Sequence, residues 1–170
     1  MFADMTRRSI ALAAALGLGL ALSACAHNNP DNLAAGAAGV GYGASGPGSV
    51  QEFNQTVGDR VFFDTDQTDL TAIAQATLDK QAAWLNQYSH YAFTIEGHAD
   101  ERGTREYNFA LGSRRAQTVH DYLAAKGVSA SRMKMISYGK ERPVAVCDDI
   151  SCWSQNRRAV TVLNGAPGSS

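Results

Sequence analysis

Between Ile95 and Asn108 the chain reads IEGHADERGTREYN, setting His98, Asp100, Glu101, Arg102, Arg105 and Glu106 around two glycines. Such a cluster could hold a metal, catalyse a hydrolysis or grip a charged ligand. A catalytic zinc needs three protein ligands and an open position. His98 and Asp100 supply two at most, and no His-x3-His or other partner completes them. A serine hydrolase needs a nucleophile, a base and a group that orients the base. Ser113 sits beside Arg114 in no G-x-S-x-G turn, which removes the usual nucleophile geometry. No catalytic set and no metal site follow, and His98 reads as a residue hydrogen-bonded within its own loop.

Asp100 and the downstream Arg115 suggest different chemistry. A carboxylate can take an ammonium, while a guanidinium takes a carboxylate with a planar two-pronged donor. Together they could clasp a zwitterion. The spacing leaves a second reading open, an internal ion pair that fixes the loop.

Four elements must position these groups. Asp59 to Phe63, DRVFF, reads as a strand ending at the turn-forming DTDQTD. Thr71 is an N-cap for a helix running to about Tyr88, with Leu70, Ile73, Thr77, Gln81, Trp84 and Tyr88 along one side. YAFTIEG alternates, with Tyr91, Phe93 and Ile95 on one face, and delivers the cluster at its C-terminal end. A second helix starts near Thr104 or Arg105 and stops at Lys126 before Gly127. Its core face is Gly112, Ala116, Val119 and Leu123, with the small pair letting it lie close to the sheet. Leu111 and Arg115 share one side beside that face, so a helix folded back over its strand brings Arg115 near Asp100. RMKMISYG and NRRAVTVL add two more strands. The order β-α-β-α-β-β predicts an α+β two-layer sandwich, a small mixed sheet with helices on one face.

The 15 Lys and Arg against 16 Asp and Glu leave a net charge of −1, so no basic field draws nucleic acid. At the N-terminus, RRSIALAAALGLGLALSAC joins two arginines to a short apolar run and small residues. The run is too short to span a bilayer comfortably and reads as a secretory signal over residues 1–24. Leu22-Ser23-Ala24-Cys25 resembles a bacterial lipobox, which implies a covalent lipid on Cys25 and no other cofactor. Ala26, rather than Asp, after the Cys resembles an outer-membrane address, so the lipid would anchor the chain there. Residues 25–50 are rich in Gly, Ala, Asn and Ser; they read as a flexible tether that could stretch to about 80 Å. Residues 51–165 suffice for one domain, and 166–170 form a tail. Cys147 and Cys152 remain in an exported, oxidising setting, where a disulfide is the favoured reading over zinc binding.

VFFDTDQTDL, IEGHADERGTREYNFALGSRRA, ISYGKERPVA and NRRAVTVL resemble the motifs of OmpA-like peptidoglycan-binding domains. More narrowly, EGHADERGT-EYN-ALG-RRA and SYGKE-P are similar to the peptidoglycan-associated lipoproteins (Pal) of the Tol-Pal system. The resemblance covers about residues 57–163. It implies a non-enzymatic protein of the outer membrane, facing the periplasm, that binds meso-diaminopimelate in the peptidoglycan stem peptide. Asp100 and Arg115 would hold that residue, with Asp66, Leu111 and Asn108 lining or ordering the site. A TolB-like propeller is the implied protein partner, with the charged face at Glu101, Arg102, Arg105 and Glu106 as a footprint; Arg157 and Arg158 are read as structural or solvent-facing. The other reading is a lipid-anchored protein–protein adaptor that binds no peptidoglycan. One departure stands out: Thr65 lies between Asp64 and Asp66, where the family usually carries a large apolar or aromatic residue.

Overall fold

The computed structural model describes residues 46–164. The expected signal, Cys25 with its lipid, most of the tether and the tail lie outside the described residues. The described chain opens with a helical turn that the sequence did not suggest, α1 (Val50–Glu52), continued as a π-helical turn over Phe53–Gly58. Phe53 packs on Trp84 with ring centroids 4.9 Å apart, and Glu52 accepts a hydrogen bond from the Trp84 indole. The remaining elements are β1 (Arg60–Phe62), α2 (Ala72–Gln87), β2 (Phe93–His98), α3 (Arg105–Ala125), β3 (Met133–Gly139), α4 (Ile150–Asn156) and β4 (Arg158–Leu163).

Both long helices start where their capping residues predict. The Thr71 hydroxyl accepts from the Ala74 amide and that of Thr104 from the Tyr107 amide, satisfying orphan donors of each first turn. At the other end of α3, Gly127 takes φ +89°, a left-handed conformation that costs glycine little. The strands form a mixed sheet in the order β1-β4-β2-β3. Strand β4 runs antiparallel to both neighbours, while β2 and β3 are parallel. The α+β architecture with its small mixed sheet is thus the one the sequence predicts, with α4 as an added short helix.

The core lies between one sheet face and α2 with α3. Tyr91, Phe93 and Ile95 are fully buried, as their alternation predicts, against Ala116, Val119 and Leu123 of α3. On α2 the buried side differs from the expected stripe. Ala74, Leu78, Gln81, Ala82, Trp84 and Leu85 face inward, while Ile73 is 82% exposed. The apolar pattern of that helix is diffuse enough that packing, rather than periodicity, sets its rotation. Gln81 is buried because it donates to the Gly58 carbonyl and accepts from the Thr161 hydroxyl.

Strand β2 and α3 approach until backbone meets backbone. A Cβ on Gly97 would lie 1.9 Å from the Gly112 carbonyl oxygen, and one on Gly112 would lie 2.5 Å from Ser137 Oγ. This contact holds the start of α3 over the end of β2, where the charged cluster begins. Gly97→Ala would force the helix off the strand and is expected to cost about 3 kcal/mol. The urea midpoint of the full chain measures it, and a near-native midpoint would show slack in this contact.

Candidate functional site

The site is built at the C-terminal end of β2, where Ala99 to Gly103 leave the sheet and the loop after β1 passes alongside. Arg115 is the largest fully buried side chain. It donates from Nε to the Gln67 carbonyl (2.9 Å), from Nη1 to that of His98 (2.8 Å) and from Nη2 to that of Asp64 (3.1 Å). Its guanidinium also lies 5.1 Å from the centre of the Phe63 ring. The planar fork therefore fastens the loop after β1 to the end of β2. Burial drives its pKa down to about 10, the nearby Arg157 adds to that, and Asp100 and Asp66 oppose it.

Asp100 lies at the same end, but its hydrogen bonds go elsewhere. Oδ1 accepts from the Arg102 amide and Nε, and Oδ2 from Arg102 Nη2 at 2.7 Å and Arg157 Nη1 at 3.4 Å. Burial alone would raise the carboxyl's pKa. The hydrogen bonds and charge of Arg102, with Arg157 behind them, outweigh burial and hold it below the ordinary carboxylate value. The internal ion pair of Asp100 with Arg115, the second reading that the spacing left open, is not formed; Arg115 bonds the main chain and Asp100 bonds other arginines. The reason is geometric: the carbonyls of Asp64, Gln67 and His98 converge on Arg115 first.

Arg157 was read as structural or solvent-facing, and the structure gives it a specific place. It is buried, donates Nε to the Phe63 carbonyl at 3.0 Å and reaches Asp100 across 57 residues of sequence. No local spacing could reveal that partnership; the pairing of β4 with β2 brings Arg157 to Asp100, and its pairing with β1 brings Arg157 to Phe63.

The remaining expected residues order the loops. Asn108 donates to the Arg102 carbonyl at 2.7 Å, which closes the loop before α3. Asp66 adopts φ +56°, a left-handed conformation outside glycine, and accepts from the Tyr107 hydroxyl at 3.3 Å. Such strain marks a loop held in a particular shape by its surroundings. Leu111 is buried beneath. His98 departs from expectation: both ring nitrogens are buried without a hydrogen-bond partner, and the ring stacks on Tyr138 at 5.5 Å. Burial, with the charges of Arg158 and Arg142, lowers its pKa to about 4.

An open cleft of about 740 Å³ is lined by Asp64, Thr65, Gln67, Asp69, Leu70 and Thr71 from the segment after β1, together with Ile150 and Arg157. Ile150 belongs to α4, which replaces the loop expected between Cys147 and Cys152. Asp149 caps it by accepting from the Ser151 amide at 2.7 Å, a signal that the cysteine pair obscured in the sequence. The two cysteines form a disulfide with Cα atoms 5.6 Å apart. Trp153 donates its indole N–H to Glu101, and Arg102 lies over its ring at 4.2 Å. The lining thus combines carboxylates with a guanidinium, a set of charges suited to a small zwitterion. Among the described residues no group of three or more His, Cys, Asp or Glu could hold a metal ion.

The model of the OmpA family matches residues 62–157. A peptidoglycan-associated lipoprotein of Rhizobium meliloti is 66% identical over 89% of this chain and 86% of its own length. One of Mesorhizobium japonicum is 60% identical over 96% of each. Among solved structures, the crystal structure of the peptidoglycan-associated lipoprotein from Burkholderia pseudomallei superposes with a TM-score of 0.63 at 39% identity. It covers 65% of this chain and 96% of that one. The C-terminal domain of Helicobacter pylori MotB shares the fold, with a TM-score of 0.60 at 18% identity.

Two outcomes are expected from this geometry. Arg115→Lys keeps the charge but cannot fork to three carbonyls, and should destabilise the full chain by about 3 kcal/mol in urea unfolding. An Arg115 variant thus tests folding before it tests binding. His98 is neutral when folded and protonates near 6.5 when unfolded. Its contribution is present above that value and is lost as pH falls toward 4. Carboxylates such as Asp100 begin to lose theirs only below about pH 5. Stability should therefore drop by about 2 kcal/mol between pH 7 and pH 5. His98→Phe should flatten that slope, and an unchanged slope would assign it to other groups.

Proposed function

The chain belongs to the OmpA family, and from that membership we propose that it ties the outer membrane to the cell wall as a lipid-anchored, non-enzymatic binder of peptidoglycan. The names of its relatives support an envelope lipoprotein associated with peptidoglycan. The finer reading is that Cys25 carries the lipid, the segment to residue 50 spans the gap, and the folded domain faces the periplasm. There it holds the meso-diaminopimelate residue of the stem peptide. As part of a Tol-Pal assembly, it would keep the envelope intact and help it constrict at division, with a TolB-like propeller meeting the charged surface around Arg105 and Glu106.

The observation that carries this reading is the cleft lined by Asp64, Asp69 and Arg157 together, with Asp100 bonded to that arginine. One end of diaminopimelate bears an ammonium and a carboxylate on a single carbon, and such a ligand meets both signs of charge here. Asp100 is the ammonium acceptor and exchanges its bonds to Arg102, whose side chain is 40% exposed and free to yield. Arg157, itself largely buried but lining the cleft, supplies the cation there, since the Arg115 fork is taken up by three carbonyls. Arg115, Asn108 and Leu111 then act by shaping the loops, and Asp66 by holding the turn that carries Thr65.

The test is co-sedimentation of the full chain, in detergent, with purified sacculi. Wild type should pellet and be released by free meso-diaminopimelate, and Asp100→Asn should lose at least ten-fold in affinity while its thermal melt stays within a few degrees. A chain that ignores sacculi but retains a protein partner would instead be an adaptor. New muropeptide ends after incubation would reveal an enzyme.

A further inference from the structure

The cleft has one feature that charge recognition does not use. Ile150 is 61% exposed, and with Leu70 it is the apolar part of a lining otherwise made of carboxylates, hydroxyls, an amide and a guanidinium. An isolated exposed aliphatic side chain is ordinary, but this one stands on an unusually fastened platform. Just before α4 and within it, Cys147 and Cys152 are joined. Trp153 bonds to Glu101 and stacks under Arg102. Asn156 is buried and holds the Val144 and Ala145 amides and the Ala145 carbonyl. The next residue, Arg157, is the one bonded to Asp100. Seven helical residues are thereby locked to the loop that carries the acid.

We propose that Ile150 is a contact residue for the aliphatic chain of the bound diaminopimelate, and that the Cys147–Cys152 disulfide acts as a positioning device for it. This rests on the peptidoglycan reading above. The same lining holds the short, polar Thr65, which leaves room for a hydrocarbon chain, and Leu70 as its other apolar side chain. Ile150 provides apolar surface for that chain. Withdrawing methylene groups from water against it favours binding, and a rigid mount saves the ordering that a mobile loop would require. The charged groups recognise the zwitterionic carbon; Ile150 recognises what is attached to it. It would therefore distinguish diaminopimelate from a zwitterion with no chain, such as D-alanine.

The experiment measures sacculus binding of the full chain in detergent, with meso-diaminopimelate and D-alanine as competitors. Wild type should bind and be displaced at lower concentration by diaminopimelate than by D-alanine. Ile150→Ser should bind three- to ten-fold more weakly and lose that preference, and Ile150→Leu should regain most of both. A Cys147→Ser, Cys152→Ser double variant should show the same two losses with an unchanged circular dichroism spectrum. Loss of preference is the telling result, since general loosening weakens both competitors alike. If wild type fails to bind sacculi, the peptidoglycan reading falls and takes this proposal with it. If wild type binds and Asp100→Asn does not, but Ile150→Ser or the double variant behaves as wild type, this proposal alone is overturned.

Discussion

A buried guanidinium organises the functional end of this domain. Arg115 is withdrawn from water completely, at a desolvation cost that only good hydrogen bonding offsets. Three carbonyls from two separated loops provide it. Because one side chain ties carbonyls from both segments together, the arginine and the chain around it define each other. The strained turn at Asp66 and the departure of the chain from β2 both follow from where that fork must reach.

With Arg115 committed to the main chain, the guanidinium that lines the cleft is that of Arg157. Arg157 sits between α4 and β4, close enough to oppose Arg115 electrostatically and to bond Asp100. Asp100 shares its carboxylate between this buried partner and the more exposed Arg102. One partner is buried, and the other reaches solvent. The short helix α4 closes the arrangement, since its residues touch the loop of Asp100 through Trp153 and the cleft through Ile150.

The close approach of β2 and α3 is the second constraint. Gly97 and Gly112 let a helix backbone rest on a strand backbone, and this keeps the start of α3 over the end of the strand. Both sides of the loop at Asp100 are then fixed by elements that cannot slide apart without opening the core. The sheet supports the same geometry from below, because β4 lies between β1 and β2 and brings Arg157 within reach of Phe63.

Local signals in the sequence were sufficient for the strands, the caps at Thr71 and Thr104, the stop at Gly127 and the inward face of α3. Each depends on a hydrogen bond or a periodicity within a few residues. The rotation of α2 was not legible, because Ile73 fits a helical stripe yet has nothing to pack against. Nor was α4, whose capping aspartate was overshadowed by the cysteines beside it. The charged residues themselves were visible as a cluster, and so was the convergence of Asp100 and Arg115 on one end of the fold. Their partners were not. Which cation meets which anion is settled by distances between chain segments far apart in sequence, and those distances exist only once the sheet has ordered β1, β4 and β2 side by side.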